Sequence, residues 1–334
     1  MKIAINGFGR MGKAFLRSVL ADATTHETIT VAALNVGPHD IALTAHLFKY
    51  DSLMGTYPGT VEVRGNHIVI DNQIIPVFNE VDPEKLPWKE QGIDWVVECS
   101  GKFSDRQGAS KHMHAGAKKV LISAPAHNED ATIIMGVNDT DYADGMQIVS
   151  LGSCTTNALV PLLKILDDLC GIEKAFMTTV HAYTNTQVLL DVGIGDTRRS
   201  RAAALNIVPT GSGATSTLKK VLPHLADKVE GCALRVPVAK VSLIDITFLM
   251  THACTAEQMH AALSTAASHS LKGILDITYQ PLVSSDFNGN PYSVVVDGLL
   301  TQTLGTMGKV FGWYDNEWAY SQRMKDFLMK RAMN

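Results

Sequence analysis

The sequence has 334 residues, a length that exceeds one small core and is typical of two domains. Apolar residues make up 46% and charged residues 19%, as in soluble globular proteins, and the formal net charge of −4 argues against a nucleic-acid or membrane-surface partner. The sequence contains no apolar run of about 18 residues, which a membrane-spanning helix would need.

The five cysteines form no CxxC pair and show no framework spacing. An odd number of cysteines without such spacing favours free thiols in a reducing compartment over a disulfide scaffold. The missing CxxC pair also argues against a zinc site, and we expect no metal. Arg10 and Lys13 interrupt any signal-peptide core near the N-terminus, so we expect a cytoplasmic protein.

The N-terminal segment has the pattern of a dinucleotide-binding turn. A short buried strand is predicted from Lys2 to Asn6; GFGRMG at 7–12 follows it directly, before an amphipathic helix predicted from Lys13 to Ala21. In this context the first glycine permits the tight turn, and the second allows the backbone to approach a pyrophosphate. Gly7 and Gly9 are therefore candidate cofactor-binding residues, and a merely structural turn is the alternative.

The end of the second predicted strand, Ile29 to Asn35, leaves the choice of dinucleotide open. An NAD-binding unit usually has a carboxylate here, which bonds the 2′-hydroxyl of the adenosine ribose. The chain instead continues with Val36, and its first carboxylate is Asp40. Without that carboxylate a 2′-phosphate is not repelled, but no Arg or Lys follows that would attract it. Both NAD and NADP are therefore candidates.

The rest of the first half alternates predicted helices and strands. Such alternation indicates a doubly wound parallel sheet, with the ligand crevice beyond the carboxyl ends of the strands. Ser123 ends one of these strands and joins Gly7 and Asn35 as a candidate residue of this crevice. The predicted elements are a helix at 40–50, β-like runs at 60–64, 67–70 and 73–78, a strand at 94–99, a helix at 104–115, and strands at 119–123 and 148–151.

The stretch SCTTN at 153–157 has the features of an activated cysteine. It follows the last predicted strand of the first half and precedes an apolar helical run from Ala158 to Cys170. A helix start offers unpaired N–H groups and partial positive charge, which stabilise a thiolate, the nucleophilic form of cysteine. We predict that Cys154 is a nucleophile at the mouth of the cofactor crevice; the alternative is a small apolar residue near a helix cap.

The second half changes to longer β-like runs separated by helices, which indicates an α+β domain with a largely antiparallel sheet. His181 ends the first of these strands and is the candidate base for Cys154, because a histidine partner promotes thiolate formation. The predicted strands are at 175–182, 233–238, 240–250, 292–298 and 308–313, and the predicted helices are at 212–222, 255–268 and 316–333.

Positive charge in the second half indicates two anion sites. Arg235 lies inside an apolar strand and needs an anionic partner, which is either an internal carboxylate such as Asp245 or a phosphate group. Three arginines lie in the glycine-rich loop at 198–201, and PTGSG at 209–213 offers hydroxyl and N–H groups at a helix start. Two anion sites, a cysteine and a dinucleotide fold together indicate a phosphorylated aldehyde substrate.

The order and spacing of these motifs resemble those of the phosphorylating glyceraldehyde-3-phosphate dehydrogenase family along nearly the whole chain. The resemblance implies an NAD(P)-binding Rossmann domain at 1–152, to which 316–334 returns, and a catalytic and oligomerisation domain at 153–315. The matching stretches are INGFGRMG (5–12), LFKYDSLMG (47–55), ISAPA (122–126), SCTTN (153–157), HAYTN (181–185), RAAALNIVP (201–209), LRVPV (234–238) and WYDNEWAYSQR (313–323).

The family resemblance also implies a role for each candidate residue. Cys154 would attack the aldehyde of glyceraldehyde 3-phosphate, and His181 would help to form the thiolate and take the hydroxyl proton. Hydride would pass to the nicotinamide and leave a thioester of Cys154. Inorganic phosphate would then attack this thioester and give 1,3-bisphosphoglycerate, in glycolysis or gluconeogenesis. The resemblance implies that Thr184 and Arg235 hold the substrate phosphate, that Ser153, Thr155, Arg199, Ser212 and Gly213 hold the attacking phosphate, and that Arg10, Met11, Ser123 and Asn316 contact the cofactor.

Members of this family are usually homotetramers, and the resemblance implies that the loop from Asp191 to Arg201 lies at a subunit interface. Departures from the family pattern at Val36, Val81 and 191–193 fall at the adenosine-ribose end of the cofactor, so they put a strict NAD preference in doubt. Erythrose-4-phosphate dehydrogenase shares SCTTN and is one alternative, although this chain keeps HAYT and SAPA. A non-catalytic nucleotide-binding relative is the other.

Overall fold

The computed structural model describes residues 1–333, and the chain divides into two compact units, each built around its own sheet. The first unit contains Met1–Ile133, Thr140–Gly152 and the C-terminal segment from Ser321, and the second contains Ile134–Asp139 and Ser153–Tyr320.

Short strands alternate with helices in the first unit. Its strands are β1 (Lys2–Asn6), β2 (Thr30–Asn35), β3 (Tyr50–Asp51), β4 (Gly55–Thr56), β5 (Val61–Arg64), β6 (His67–Ile70), β7 (Gln73–Phe78), β8 (Trp95–Glu98), β9 (Lys119–Ile122), β10 (Ala131–Thr132) and β11 (Ile148–Ser150). Its helices are α1 (Arg10–Leu20), α2 (Ala23–Thr28), α3 (Ile41–Lys49), α4 (Trp88–Gln91) and α5 (Arg106–His114), with a 3-10 turn at Pro83–Lys85.

The main sheet of the first unit has the strand order β10-β11-β9-β8-β1-β2-β7-β6-β5, and β3 and β4 form a separate pair. Neighbouring strands are parallel from β10 to β7, and β6 and β5 continue the sheet as an antiparallel edge. The strand order reverses at β1, which lies between β2 and β8, as it does in a doubly wound sheet. The predicted Rossmann-type parallel sheet is therefore confirmed.

The register of this sheet places four strand ends in one row. Asn6 of β1 pairs with Asn35 of β2 and with Glu98 of β8, and Glu98 pairs in turn with Ile122 of β9. Because these strands are parallel, their carboxyl ends share one edge, which is where ligands bind in such sheets. The residues that follow the strands, among them Ser123, lie along this edge.

The glycine turn after β1 packs closely against the loop after β8. Gly7 has a φ of +88°, and a Cβ atom at this position would lie 2.4 Å from the backbone nitrogen of Ser100. A side chain would therefore be both strained and overpacked here. The sequence predicted that helix α1 begins at Lys13. It begins earlier, at Arg10, because the extended Gly9 already serves as its N-cap.

The second unit combines longer strands with three main helices. Its strands are β12 (Ile172–Ala182), β13 (Val208–Gly211), β14 (Val229–Val236), β15 (Ser242–Met250), β16 (Leu275–Thr278), β17 (Val294–Asp297), β18 (Gln302–Leu304) and β19 (Met307–Tyr314). The helices are α6 (Cys154–Cys170), α7 (Ala214–Val221) and α8 (Ala256–Ser268), with 3-10 turns at Pro223–Leu225 and Ser284–Phe287, and the chain ends with α9 (Trp318–Ala332).

The sheet of the second unit has the order β13-β14-β12-β15-β19-β17-β16, with β18 paired to β19. The β12–β14 and β16–β17 pairs are parallel and the other pairs are antiparallel, so the predicted largely antiparallel sheet is confirmed. Burial alternates along β15 from Ser242 to Met250. Its buried apolar residues share one core with Leu159 of α6, Leu218 of α7 and Leu263 of α8.

Candidate active site

Cys154 is the first residue of α6, which starts earlier than the predicted run from Ala158. The Oγ atom of Ser153 accepts the N–H of Thr156 at 3.0 Å, and the hydroxyl of Thr156 accepts the N–H of Ser153 at 3.3 Å. This reciprocal capping box begins the helix at the cysteine. The thiol therefore lies in the first turn, where the helix dipole favours negative charge.

His181 lies near the end of β12 and faces the cysteine. Its Nε2 atom is 3.6 Å from Sγ of Cys154, and its side chain is buried. Because β12 and β14 run parallel, the register places His181 opposite Arg235. The structure thus brings together the predicted nucleophile, the predicted base and the predicted phosphate ligand.

The guanidinium of Arg235 contacts the far side of the imidazole. Its Nη1 atom lies 2.8 Å from Nδ1 of His181 and 3.0 Å from the carbonyl oxygen of Ala182. Nδ1 is itself 2.7 Å from the same carbonyl oxygen. A guanidinium only donates and a carbonyl only accepts, so Nδ1 cannot bond to both in one tautomer.

Two arrangements of the His181 proton follow from these contacts. If Nδ1 accepts from Arg235, then Nε2 carries the hydrogen and donates it towards Cys154. If Nδ1–H donates to Ala182, then Nε2 is free to accept the thiol proton. The approach of Arg235 to Nδ1 therefore decides whether Nε2 acts as a donor or as an acceptor towards the cysteine.

Burial and charge set the pKa values of this pair. Burial raises the pKa of the Cys154 thiol, and this effect outweighs Arg235 and the hydrogen bonds from Thr155, which lower it. Burial, followed by the charge of Arg235, lowers the pKa of His181 to about 4. The thiol pKa thus shifts in the direction opposite to the one that a helix start and a histidine partner indicate, because either charged form loses its solvation here.

Tyr314 is a buried residue of this site that the sequence did not single out. Its hydroxyl oxygen lies 3.0 Å from Oγ1 of Thr155 and 2.8 Å from Oγ1 of Thr179, and its ring stands perpendicular to His181 at 6.0 Å between centroids. Burial raises the pKa of Tyr314, so it stays a hydroxyl. The available signal was its place at a strand end beside Asn316, within the WYDNEW motif.

Asn316 is buried and fixed by a serine that sequence reasoning also missed. The Oγ atom of Ser242 donates to Oδ1 of Asn316 at 3.3 Å and accepts the N–H of Ala182 at 3.1 Å. Asp315 holds the same turn through a buried ion pair with Lys240 at 2.8 Å. A single serine in an apolar strand gave no sequence signal of this role.

Arg199, Ser212 and Gly213 lie at β13 or beside it, next to the strand that carries Arg235. The guanidinium of Arg199 donates two hydrogen bonds to Oγ1 of Thr210, at 3.1 and 2.9 Å. Ser212 and Gly213 directly precede α7, and Gly213 is its N-cap. Burial lowers the pKa of Arg235 and the charge of Arg199 adds to this, so the two guanidinium groups belong to one positive region.

The internal ion pair considered for Arg235 is absent. Asp245 instead accepts hydrogen bonds from Nζ of Lys309 at 2.6 and 2.8 Å. In residues 1–333 no carboxylate forms an ion pair with Arg235, and its buried Nε has no hydrogen-bond partner. Thr184 follows β12 and its hydroxyl contacts that of Thr186 at 2.9 Å. Within the described residues, the half-buried guanidinium of Arg235 therefore has no carboxylate counterion.

The candidate cofactor residues of the first unit differ in what their side chains contact. Arg10 bonds to Asp51 at 2.5 Å. The amide of Asn35 donates to Asn6 at 2.7 Å and to the carbonyl of Glu80 at 2.9 Å, and it accepts the N–H of Glu80 at 3.0 Å. The side chain of Asn35 thus holds the strand end through contacts within the protein, and its contact with the cofactor stays a prediction.

The other candidate cofactor residues lie around the glycine turn and at the end of β9. A Cβ atom on Gly9 would meet open space, whereas one on Gly7 would not. Met11 is in the first turn of α1. The N–H of Ser123 donates to the carbonyl of Glu98 at 3.0 Å, which joins the ends of two neighbouring strands.

Residues 1–333 hold no group of three or more histidine, cysteine, aspartate or glutamate side chains that could bind a metal ion. Within the same residues, no helix has the length and apolar composition needed to cross a membrane.

In comparison with known proteins, both units match glyceraldehyde-3-phosphate dehydrogenases. The family model described as glyceraldehyde 3-phosphate dehydrogenase, NAD binding domain, matches residues 1–106, and the model of the C-terminal domain matches residues 153–316. Glyceraldehyde-3-phosphate dehydrogenase 1 of Bacillus subtilis is 48% identical, over 100% of this chain and 99% of the relative. The enzyme of Xanthobacter flavus is 46% identical over 98% and 97%, and chloroplastic GAPA1 of Arabidopsis thaliana is 46% identical over 98% and 82%.

We predict that Arg235→Gln moves the pH dependence of Cys154 alkylation to higher pH. The charge of Arg235 lowers the pKa of the thiol, so its removal raises that pKa and leaves less reactive thiolate at neutral pH. A rise of about one unit would slow labelling about tenfold. Iodoacetamide labelling of the Cys154 peptide, followed by mass spectrometry across the pH range, measures the midpoint.

Arg198→Gln is the matched control for this experiment. It removes the same charge from an exposed side chain in the loop that carries Arg199, and its labelling profile should match the wild type. An unchanged midpoint in Arg235→Gln would contradict the electrostatic role, and equal shifts in both variants would indicate an effect of net charge alone.

Proposed function

The chain belongs to the glyceraldehyde-3-phosphate dehydrogenase family, and we propose that it oxidises glyceraldehyde 3-phosphate, with a nicotinamide dinucleotide and inorganic phosphate, to 1,3-bisphosphoglycerate. The observation that carries this proposal is the contact of Cys154 and His181 at 3.6 Å beside Arg235, which lacks a counterion within the described residues. The match of residues 1–106 to an NAD binding domain supports the use of a dinucleotide in this reaction. The free cysteines suit a reducing compartment, and we propose a cytoplasmic location.

The proposed reaction begins at the sulfur of Cys154. Sγ adds to the aldehyde carbon, and the thiol proton passes to the aldehyde oxygen, which gives a thiohemiacetal. Nε2 of His181 takes the hydroxyl proton as the hydride leaves this carbon, and a thioester forms. When bound, the nicotinamide group supplies the acceptor for the substrate's hydride. An oxygen of inorganic phosphate then attacks the thioester carbonyl, the carbon–sulfur bond breaks, and the acyl phosphate and the Cys154 thiolate are released.

The first unit fits a dinucleotide through its glycine turn. Gly7 adopts a backbone conformation that favours glycine, and Gly9 leaves open space at the N-terminus of α1. Backbone N–H groups at a helix start suit a pyrophosphate. We propose that this turn, with Arg10 and Met11, holds the dinucleotide. The first unit would then be the cofactor domain and the second unit the catalytic domain.

The positive region of the second unit supports two phosphate sites. Arg235 and Thr184 are proposed to hold the phosphate of the substrate, because Arg235 lies nearest to the reacting pair. Ser153 and Thr155 lie at the start of α6, and Ser212 and Gly213 at the start of α7. We propose that these residues, with Arg199, hold the attacking phosphate.

We predict that Cys154→Ala abolishes oxidation of glyceraldehyde 3-phosphate but retains cofactor binding, because no other nucleophile lies in this contact. His181→Asn should lower turnover by about 10²–10⁴-fold, the effect of a lost acid–base group. Steady-state kinetics measures both. Cys232→Ala, an exposed cysteine on β14, is the control and should retain activity.

Three outcomes of these kinetics would overturn the proposed reaction. Turnover by Cys154→Ala would exclude the thioester route. A preference of the wild type for erythrose 4-phosphate would favour the related dehydrogenase. Dinucleotide binding without turnover of either aldehyde would favour a non-catalytic relative.

We propose NAD as the preferred dinucleotide. Val36 is buried. The end of β2 is joined to Glu80 by a hydrogen bond from the N–H of Glu80. The carboxylate of Glu80 accepts the N–H groups of Val81 and Asp82 at 2.8 and 3.0 Å. The nearby Lys111 is paired with Asp82 at 3.4 Å. A 2′-phosphate at this strand end would meet negative charge from Glu80, and the neighbouring cation is already paired.

We predict that kcat/KM with NAD exceeds that with NADP by about tenfold or more, which corresponds to about 1.4 kcal/mol. Glu80→Gln should narrow this ratio, because it removes the repelling charge. Glu84→Gln, in which an exposed carboxylate of the same loop is changed, should leave the ratio unchanged. Parity or a preference for NADP in the wild type would contradict the assignment.

We propose that the protein is a homotetramer in which the loop around 189–207 lies at an interface. This loop exposes apolar side chains, with Leu189 84%, Leu190 74%, Leu205 78% and Ile207 66% exposed. Several large apolar side chains exposed within one loop favour an interaction surface, which symmetric assembly would cover.

We predict that light scattering gives a particle mass of four times 36.1 kDa. Leu190→Asp should lower this mass, because a carboxylate would replace an apolar side chain at the covered surface. A wild-type mass of one chain, or an unchanged mass in the variant, would contradict the proposed use of this loop.

A further inference from the structure

Glu98 ends β8 and is a buried carboxylate with four hydrogen-bond donors. Its Oε1 atom accepts the N–H of Ser100 at 2.7 Å and the hydroxyl of Ser100 at 2.5 Å. Its Oε2 atom accepts from Nδ2 of Asn6 at 2.5 Å and from Nε2 of His112 at 3.1 Å. Glu98 is 2% exposed, so these bonds replace the water that the carboxylate loses.

The direction of these bonds is fixed from the far side by an indole. Nε1 of Trp88 lies 3.0 Å from Nδ1 of His112, and an indole nitrogen only donates. Nδ1 of His112 is therefore an acceptor, and its Nε2 carries the hydrogen that Glu98 accepts. In residues 1–333, no lysine or arginine pairs with Glu98.

The carboxylate also sets the orientation of two amide side chains. Because Asn6 gives its Nδ2–H to Glu98, its Oδ1 atom is the acceptor for Nδ2 of Asn35, at 2.7 Å. Oδ1 of Asn35 then accepts the N–H of Glu80 at 3.0 Å. A single acceptor at Glu98 thus orients a relay that runs from β8 through β1 and β2 to the segment that follows β7.

The relay holds the strand edge at which a dinucleotide would bind. Asn6, Asn35 and Glu98 occupy one row of the sheet register. Ser100, which Glu98 holds by two bonds, lies against the glycine turn, where a Cβ on Gly7 would be 2.4 Å from the Ser100 nitrogen. Ligands of doubly wound sheets lie beyond this edge.

We propose that Glu98 is a positioning residue for the dinucleotide, which it does not touch. Its carboxylate keeps the glycine turn, the Ser100 loop and the end of β2 in the arrangement that the cofactor requires. This inference rests on the proposed dinucleotide-dependent function. It assigns a cofactor effect to a buried residue that the motif of the glycine turn does not contain.

Glu98→Gln tests the proposal with almost no change in size. Turned towards Asn6 and His112, the new NH2 group faces two donors; turned towards Ser100, it faces the backbone N–H, while the hydroxyl can rotate to accept. Either orientation leaves at least one donor facing another donor. The Kd for NAD, measured by calorimetry, should rise about tenfold or more. At saturating NAD, kcat and the KM for glyceraldehyde 3-phosphate should stay within about twofold of the wild type.

Trp88→Phe is the control for a merely structural role. It removes the hydrogen bond to His112 but leaves the bonds from Glu98 to Asn6 and Ser100 in place. This variant should lose thermal stability and keep the Kd for NAD. An unchanged Kd in Glu98→Gln, or an equal rise in Trp88→Phe, would overturn the positioning role.

Two further measurements keep the proposal separate from folding and from the proposed reaction. If Glu98→Gln does not fold, Asn6→Ala cuts the relay at the next residue and should also raise the Kd for NAD; a wild-type Kd would then overturn the proposal. Calorimetry needs no turnover, so wild-type protein that binds NAD without oxidising the aldehyde refutes the proposed reaction alone. Wild-type protein that binds neither NAD nor NADP refutes both.

Discussion

The proposed chemistry of the second unit depends on one positive charge, Arg235, which has no carboxylate counterion within the described residues. Arg235 lies opposite His181 in the register of β12 and β14, and within residues 1–333 no carboxylate pairs with it. A partly buried charge loses part of its solvation, and an anion placed beside it offsets that loss. The parallel pairing of these two strands therefore creates a site that is electrostatically complete only with an anionic ligand bound. In the proposed reaction this requirement would couple the phosphate group of the substrate to the chemistry at its aldehyde.

The first unit uses a buried charge in the opposite way. Glu98 is negative and is surrounded by neutral donors, including Asn6, Ser100 and His112, which satisfy both of its oxygens. A fully bonded carboxylate needs no ligand, so it fixes geometry and does not attract a counterion. Arg235 needs an anionic ligand, whereas Glu98 keeps a strand edge in a fixed arrangement at which a dinucleotide would bind. Both effects depend on the same property, which is the high cost of an unsatisfied polar group away from water.

The sequence predicted those parts of the fold that local patterns determine. The buried strand at Lys2–Asn6 and the parallel sheet follow from apolar runs and their spacing. Helix α2 was missed because ATTHET at 23–28 has no apolar period and begins only through its cap, Asp22. Tyr314 was missed because its bond to Thr155 joins residues far apart in the chain. Motifs can identify such a residue type, but its contacts depend on which strands the fold makes neighbours.

The thiol pKa shows why local rules placed Cys154 at a helix start but predicted the direction of its pKa shift wrongly. A helix start contributes about 0.3–1 kcal/mol to a nearby negative charge, whereas burial costs several times more, and only the fold determines burial. Arg235 lowers the pKa of Cys154 and that of His181 alike, so it does not favour proton transfer from one to the other. It favours loss of a proton from the pair, which leaves a thiolate beside a neutral imidazole. With Nδ1 accepting from Arg235, the remaining hydrogen is on Nε2 and points at the sulfur. That hydrogen can then stabilise the oxygen that becomes negative when the thiolate attacks an aldehyde. The other tautomer, in which Nδ1–H donates to Ala182, leaves Nε2 free to take the hydroxyl proton in the proposed reaction.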